Sequence, residues 1–307
     1  MTEREILPGQ EMTIQWFPGH MTKARRMITE SLRQVDAVCE LLDARIPLSS
    51  RNPDIDALTA GKPRLVILNR TDQADPDATR RWIAWFRQQG LAVLETDSRS
   101  GKGTGAFSGA VRRLLQEKLA EYAAKGQTGR KLRVMILGIP NVGKSTLINR
   151  IAGRKAAAAS DRPGVTRGKQ WIAVDSGLEL LDTPGILWPK FESQTVGENL
   201  AFTGAVKDEI LDRETLGANL MLRLCERYPD RLEARYKIRP EPGMDGFALL
   251  EAAARKRGFL VSGGELDLER MSVVLLDEFR GGKLGPITLE LPPDPAAGET
   301  ENGPLGD

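Results

Sequence analysis

The chain has 307 residues, of which 40% are hydrophobic and 28% charged, and this composition excludes global disorder because such a chain can bury a substantial core. Its 44 basic and 42 acidic residues exclude a histone-like polycation. With two cysteines and one histidine, a four-ligand Cys/His zinc site is impossible. No apolar run reaches the ~18 residues of a membrane-spanning helix. The first ten residues lack the pattern of a signal peptide, so we expect a cytoplasmic protein without a membrane partner.

The first 190 residues alternate short apolar runs with amphipathic segments, which predicts an α/β fold with a doubly wound, mostly parallel sheet. A basic amphipathic helix is expected at about 20–34. The expected strands are 35–42, 64–68, 91–94 and 132–137, with a hairpin of 171–174 and 178–181. The expected helices are 77–89, 104–125 and 144–151.

Beyond about residue 190 helical patterns replace the strands, so we predict a domain boundary there. The expected helices of the C-terminal part are 196–206, 213–227, 246–257 and 266–279, in an all-helical domain of residues 191–287. Residues 290–307 contain five acidic residues and no Lys or Arg, together with four prolines. This composition predicts a disordered acidic tail over residues 288–307.

A phosphate-binding loop is predicted between the strand at 132–137 and the helix at 144–151. The segment GIPNVGKS (138–145) has glycine at its first and sixth positions followed by Lys-Ser, which is the P-loop spacing. Glycines let backbone N–H groups turn inward around phosphate oxygens, and the start of the helix adds a positive field. We expect Lys144 to reach the β- and γ-phosphates and Ser145 to bind Mg²⁺. The predicted nucleotide-contacting residues of this loop are Asn141, Val142, Gly143, Lys144, Ser145 and Thr146.

Two downstream segments are candidates for sensing the γ-phosphate. The segment LLDTPG (180–185) places Asp182 where a carboxylate can hold the Mg²⁺ shell and Gly185 where an N–H can bond the γ-phosphate. Between it and the P-loop, RPGVTRG (162–168) is typical of a mobile switch loop, and Thr166 is the expected Mg²⁺ ligand. An ordinary turn after a strand and an ordinary loop threonine are the alternative interpretations.

The segment NRTD (69–72) follows the second strand and favours guanine recognition. A carboxylate at Asp72 can accept hydrogen bonds from guanine N1–H and the 2-amino group, and adenine lacks both donors. The pattern resembles the Asn-Lys-x-Asp motif of GTPases, with Asn69 at its start and Arg70 in place of lysine. Arginine and lysine are not interchangeable, so nucleotide affinity is expected to differ. A polar turn is the alternative. Ser98 and Arg99, after the next strand, are expected to supply a backbone N–H to guanine O6.

The order of these segments along the chain is unusual. Base recognition (69–72 and 98) precedes the P-loop (138–145), the switch loop (166) and the Asp-x-x-Gly segment (182–185). In ordinary GTPases the P-loop comes first, so the sequence predicts a circularly permuted P-loop GTPase domain in residues 1–190. Permutation moves the chain ends without changing the sheet. The helical part then follows directly after the γ-phosphate sensor and is placed to respond to it.

With this permuted order, the segments QWFPGHM (15–21), LDARIP (42–47), GIPNVGKST, RPGVTRG and DTPGILWP make the chain resemble the ribosome biogenesis GTPase A family, the YlqF-type branch of circularly permuted GTPases. The resemblance covers about residues 12–285. It implies a cytoplasmic GTPase that binds GTP and GDP and associates with the large ribosomal subunit, including rRNA and ribosomal proteins, late in assembly. It also implies that the helical domain binds RNA.

The residue that positions the attacking water is not evident. Many GTPases carry a glutamine after Asp-x-x-Gly, whereas this chain has Ile186, so slow intrinsic hydrolysis is expected. The resemblance implies that His20 acts instead, with an RNA-contacting or solvated histidine as the alternative. Asn141 resembles an asparagine that ligates K⁺ in related GTPases, and a cation between the phosphates would stabilise the developing charge. A simple turn residue is the alternative.

Local basic clusters, at 23–33, 125–133, 154–169 and 223–239, favour an RNA partner over DNA, although solvated faces are the commoner explanation of any single cluster. We expect the free protein to be monomeric. Two other functions stay open: a GTP-gated RNA-binding scaffold in which hydrolysis is incidental, and an ATP-using P-loop enzyme, against which Asp72 argues.

Overall fold

The computed structural model describes residues 21–127, 129–153, 170–183, 185, 187, 191, 193–206 and 212–293, with side chains from residue 26 onward. His20, Thr166 and Ile186, together with the switch loop, lie outside the described residues. The first part of the chain forms α1 (Met21–Leu32), β1 (Ala37–Asp43), α2 (Ile55–Leu58), β2 (Arg64–Asn69), α3 (Pro76–Gln88), β3 (Ala92–Glu95), α4 (Phe107–Leu114), α5 (Gln116–Ala124), β4 (Leu132–Gly138), α6 (Lys144–Ile151), β5 (Gln170–Asp175) and β6 (Leu178–Asp182). The helices α7 (Gln194–Phe202), α8 (Arg213–Arg227), α9 (Pro229–Tyr236), α10 (Gly246–Arg257) and α11 (Leu268–Arg280) follow.

The strands form one six-stranded sheet in the order β3-β2-β1-β4-β6-β5. All neighbouring pairs are parallel except β5 and β6, which form the antiparallel hairpin at one edge. The predicted mostly parallel α/β sheet is therefore confirmed. Because the chain builds outward in opposite directions from β1 and β4, the crevice at their carboxyl ends is the topological switch point, where such sheets bind ligands.

Both faces of the sheet are covered. On β1 the side chains of Cys39 and Leu41 join the large core beneath α4, α5 and α6, whereas Val38 packs under α1 and Leu42 under α3. The alternation follows from the two-residue period of a strand. The expected helix at 104–125 is instead a short 3₁₀ turn followed by α4 and α5, which are separated at Leu115.

In the C-terminal part α8 packs closely against α10 and α11. A Cβ on Gly217 would lie 2.3 Å from the Ser272 hydroxyl oxygen of α11, and a Cβ on Gly246 would lie 2.2 Å from the Ala218 carbonyl oxygen. The helices approach this closely because glycine has no side chain. Helix α9 was not among the expected helices. It begins at Pro229, a residue that suits the first helical turn because its missing N–H would have no partner there.

The prediction that disorder begins at residue 288 is wrong for its first residues. The Leu289 N–H donates to the Arg45 carbonyl (2.8 Å), and the Leu289 side chain is buried. The Glu290 carboxylate accepts hydrogen bonds from the Ser49 N–H (2.8 Å) and hydroxyl (2.6 Å). Apolar burial and these bonds hold the segment on the sheet domain. Residues 294–307 lie outside the described residues.

The described apolar core does not divide at residue 190. A single cluster contains strand residues such as Ile136, residues of α7 such as Leu200, and residues of α8 and α11 such as Leu275. The predicted domain boundary therefore marks a change of secondary structure across a continuous packed interface. Within the described residues, no helix combines the length and the apolar character that crossing a bilayer requires.

Candidate nucleotide-binding site

The P-loop connects β4 to α6 at the switch point of the sheet. Gly143 adopts φ +97°, a conformation that L side chains rarely adopt, and a Cβ there would lie 2.5 Å from Asn69 Nδ2. Gly138 is constrained by packing alone, since its Cβ would lie 2.9 Å from the Leu41 carbonyl oxygen on β1. Each glycine therefore allows another part of the protein to approach the loop.

Asn69 joins the segment predicted to read the base to the phosphate loop. Its side-chain Nδ2 donates to the Val142 carbonyl (2.8 Å). Its Oδ1 accepts from the Ser98 N–H (3.1 Å), the Ser98 hydroxyl (2.7 Å) and the Thr96 hydroxyl (3.1 Å). With only 1% of its surface exposed, Asn69 positions three loops and is not itself available to a ligand.

This arrangement bears on the predicted contact from the loop at Ser98 to guanine O6. The Ser98 N–H donates to Asn69, and the Arg99 N–H donates to Asp97 Oδ1 (2.8 Å). A contact from this loop to guanine O6 therefore requires one of these N–H groups to change partner. In this structure Ser98 bonds Asn69 through both its N–H and its hydroxyl, and the contact to guanine O6 stays a prediction.

Arg70 and Asp72, which follow Asn69, differ in their surroundings. Arg70 has φ +61°, and its Nη2 donates to the Asn141 carbonyl in the P-loop (2.8 Å). Asp72 is exposed. Neighbouring atoms nevertheless remove part of the water around its carboxyl group, which raises the pKa of Asp72, and the negative charge of Asp97 raises it further. A hydrogen-bond donor pair such as guanine N1–H and its 2-amino group would relieve both effects.

At the other end of the site, the Lys144 ammonium pairs directly with the Asp182 carboxylate. Burial lowers the pKa of Lys144, and the charge of Asp182 opposes that shift. Asp182 is the last residue of β6, directly beside β4. Gly185 follows so closely that its Cβ would lie 3.0 Å from the Cα and N atoms of Pro140. Lys144 and Asp182 are therefore in direct contact, and Gly185 lies against the P-loop.

Asn141 also contacts the helical part. Its φ is +60°, and its Nδ2 donates to the Gly204 carbonyl just after α7 (2.7 Å). A K⁺ ion held by Asn141 would have to use the side-chain oxygen, because the amide nitrogen is a donor. The P-loop is thus bonded to the turn that follows α7.

A buried ion pair that sequence analysis did not assign lies between the sheet and α11. Arg45 is 1% exposed; its Nε (2.9 Å) and Nη2 (2.7 Å) donate to the two carboxylate oxygens of Asp43. Its guanidinium stacks on the Phe279 ring, 5.2 Å from the centroid, and Nη1 donates to the Phe279 carbonyl (3.4 Å). Asp43 Oδ2 is 3.7 Å from Arg70 Nε. Both residues of this ion pair belong to the LDARIP segment (42–47) at the end of β1, which is the sequence feature from which the pair could have been predicted.

A second unassigned group, Glu40, lies on β1 behind the P-loop. It borders a small cavity that Leu137 and Gly138 also line. Its oxygens are 3.4 Å from Arg51 Nε and 3.7 Å from Arg64 Nη1, and neither accepts a hydrogen bond from the described residues. Burial raises the pKa of Glu40 from 4.5 to about 7, against the effect of both arginines.

The remaining predicted residues lie where the P-loop pattern places them. Ser145 and Thr146 are in the first turn of α6, with Ser145 half-buried and Thr146 exposed. The glycine cradle, the exposed Asp72 carboxylate and the Lys144–Asp182 pair together fit a guanine nucleotide. Hydroxyl and carboxylate oxygens are also the ligands that Mg²⁺ prefers. The described residues contain no group of three His, Cys, Asp or Glu side chains that could hold a metal by themselves.

Comparison with known proteins agrees with this geometry. The family described as 50S ribosome-binding GTPase matches residues 133–222, from β4 into α8. Ribosome biogenesis GTPase A of Priestia megaterium is 50% identical over 282 residues, covering 92% of this chain and 98% of that protein. The protein of the same name from Thermotoga maritima is 34% identical over 279 residues, covering 91% and 95%.

Among solved structures, GNP-bound YlqF from T. maritima aligns with a TM-score of 0.62 at 30% identity, covering 89% of this chain and 99% of that one. The permuted order of motifs, the sheet topology and full-length similarity to these relatives lead to one assignment. The chain belongs to the ribosome biogenesis GTPase A family of YlqF-type GTPases.

Proposed function

We propose that this protein is a GTP-hydrolysing assembly factor that binds the large ribosomal subunit late in its maturation, and that bound GTP favours docking while hydrolysis favours release. The observation that carries the proposal is the direct bonding of three regions. Asn69 and Arg70 join the guanine-reading segment to the P-loop, and Asn141 joins the P-loop to the segment after α7. A change at the phosphates is thereby transmitted to the helical part through adjacent contacts.

Guanine selectivity rests on Asp72. Replacing its carboxylate by an amide reverses one acceptor into a donor, which matches the 2-oxo group of xanthine better than the 2-amino group of guanine. We expect Asp72→Asn to shift preference from GTP towards xanthosine triphosphate. Asp77→Asn, an exposed change at the start of α3, is the matched control. Unchanged selectivity in Asp72→Asn would refute the base assignment.

The phosphate end is served by Lys144, Asp182, Ser145 and Gly185. When triphosphate binds, Lys144 exchanges its bond to Asp182 for the β- and γ-phosphates, which frees the carboxylate for the metal shell. Ser145, Asp182 and Thr166 would hold Mg²⁺, and the bound metal would neutralise charge on the phosphates. The Gly185 N–H, next to Pro140, is the donor assigned to the γ-phosphate.

Hydrolysis by the free protein is proposed to be slow, because Ile186 cannot hydrogen-bond a water molecule. His20 and a K⁺ ion bound through Asn141 are the candidates for assisting the reaction. If K⁺ acts here, replacing it by Na⁺ lowers GTP turnover, and equal rates in the two salts exclude it. His20→Ala tests the histidine in the same assay.

The decisive experiment measures the GTPase rate against added large ribosomal subunits for the wild type and His20→Ala. If the protein is an assembly GTPase, its rate of GTP hydrolysis rises when the subunit is added. His20→Ala loses that rise if the histidine positions the attacking water. A GTP-gated scaffold, the second candidate, binds the subunit without any acceleration. We further propose a cytoplasmic, monomeric protein whose partners are rRNA and ribosomal proteins, with no DNA.

A further inference from the structure

An open groove of about 770 Å³ lies at the opposite end of the sheet from the P-loop. It is formed where β1, β2 and β4 begin, whereas the nucleotide site is formed where β1 and β4 end. Its lining contains six basic side chains and two acidic ones, which gives an excess of four positive charges: Arg33, Lys62, Lys118, Arg130, Lys131 and Arg133 against Asp36 and Glu179.

The two acidic groups are turned inward. The Asp36 carboxylate accepts from the Arg133 N–H (2.8 Å) and the Tyr122 hydroxyl (3.0 Å) and pairs with Lys118 (2.7 Å). Only 11% of the Asp36 side chain and 18% of the Glu179 side chain are exposed. The ammonium and guanidinium groups lie outside them, so an approaching anion meets the positive charges first.

The cations that face outward are partnered by aromatic rings as well as by carboxylates. Lys131 and Arg133 both pair with Glu179, at 2.7 Å and 3.4 Å, yet 44% and 52% of their side chains remain exposed. The Arg133 guanidinium stacks on the Trp171 ring at 5.0 Å from its centroid. Trp171, on edge strand β5, is 38% exposed, and no other aromatic side chain in the described part of the chain is as exposed.

We propose that this basic groove binds the phosphate backbone of RNA and that Trp171 stacks on an unpaired base beside it. Clustered cations that track a backbone and an adjacent exposed aromatic ring are the two components of single-strand recognition. The inference rests on the proposed function, since the RNA would be that of the ribosomal subunit. It adds a contact made by the GTPase domain itself, separate from the nucleotide site.

The test measures binding of a fluorescein-labelled oligouridylate of about 16 nucleotides by anisotropy across a range of salt concentrations. If each of two cations contacts one phosphate, Lys131→Gln with Arg133→Gln reduces the salt-dependence slope by about 0.7 per contact. At 0.1 M salt this corresponds to about fivefold weaker binding per contact, or about 25-fold for the pair. The matched control is Arg80→Ala with Arg81→Ala, two exposed cations on α3.

Two further variants separate charge from stacking and from loss of fold. Glu179→Gln removes a negative charge from the groove, so binding becomes tighter, by about twofold to fivefold, which a misfolded protein would not show. Trp171→Ala weakens oligouridylate binding about tenfold with an unchanged salt slope. The variants of Lys131, Arg133 and Glu179 are checked for normal GTP affinity, because these three residues lie at the end of the sheet away from the P-loop. GTP affinity is also measured for Trp171→Ala, because Trp171 pairs with Leu181, the residue before Asp182.

Co-sedimentation with large ribosomal subunits distinguishes this inference from the proposed function. If the wild type binds subunits and RNA and the groove variants bind them more weakly, the result supports the proposed function and the groove inference. If the wild type binds subunits but the groove variants bind RNA and subunits equally well, the groove inference fails alone. If the wild type binds neither, the proposed function fails and the inference with it. A polyglutamate peptide of matched charge that binds as tightly as RNA, and is insensitive to Trp171→Ala, would overturn RNA in favour of an acidic protein.

Discussion

Asn69 is the residue whose replacement tests the site most directly. In Asn69→Ala the Val142 carbonyl loses its donor and the Ser98 N–H loses its acceptor, both in a region where Asn69 is 1% exposed. Each unsatisfied buried group costs about 1–3 kcal/mol, whereas the two hydroxyls that also bonded Asn69 can rotate to new partners. The two groups together therefore predict a loss of about 2–6 kcal/mol in the free energy of unfolding.

The same change should weaken nucleotide binding, because the P-loop carbonyl at Val142 and the loop at Ser98 are no longer held together. Urea denaturation gives the stability, and titration with a fluorescent GDP analogue gives the affinity. Asn69→Asp is the informative comparison. It keeps the acceptor for Ser98 but sets a carboxylate against the Val142 carbonyl, so affinity should fall with less loss of the contacts to Ser98.

Thr96→Val is the matched control, since it removes the hydroxyl that bonds Asn69 Oδ1 (3.1 Å) and, more weakly, the Leu68 carbonyl (3.5 Å), and it should cost about 1 kcal/mol. If Asn69→Ala lost no more stability than Thr96→Val and bound GDP normally, the reasoning that Asn69 holds the three loops in place would be refuted.

Three other predictions follow from buried contacts. The folded protein keeps the Glu40 proton up to about pH 7, whereas the unfolded chain releases it near pH 4.5, so ionisation of Glu40 lowers the stability of the fold as pH rises between those values. In thermal or urea unfolding, Glu40→Gln should be more stable than the wild type by roughly 3 kcal/mol at pH 8 and equal to it at pH 4. Gly143→Ala should abolish tight GTP binding in nucleotide titrations, because its Cβ would overlap Asn69 Nδ2. Arg45→Met should lose about 3–5 kcal/mol in the free energy of unfolding in urea, because it leaves the buried Asp43 carboxylate without its bidentate partner. Adding Asp43→Asn should restore much of that loss. A double variant whose loss equals the sum of the two single losses would contradict this coupling.

Much of the architecture was predictable from local patterns. The strands β1, β2, β4 and the β5–β6 hairpin were expected because a buried strand appears in the sequence as a short apolar run. Such a run can be recognised from adjacent residues alone. The P-loop was expected because its backbone needs glycine at particular positions, as the φ of Gly143 shows. Helix α9 and the break at Leu115 were not predicted. Tertiary packing decides whether a segment as short as α9 becomes helical and whether a long helical pattern divides into two helices.

The order of the motifs along the chain follows from the sequence by itself, and the sequence predicts which residues carry the chemistry: the guanine-reading segment, the P-loop, and then Asp182 with Gly185. Only the tertiary structure decided how they are joined. Asn69 meets Val142, Arg45 meets Phe279, and Glu290 meets Ser49 because the order of the strands brings β1, β2 and β4 side by side and the C-terminal segment packs back on them. These contacts link residues far apart in the chain, and their formation depends on packing of the whole fold, which no local pattern encodes.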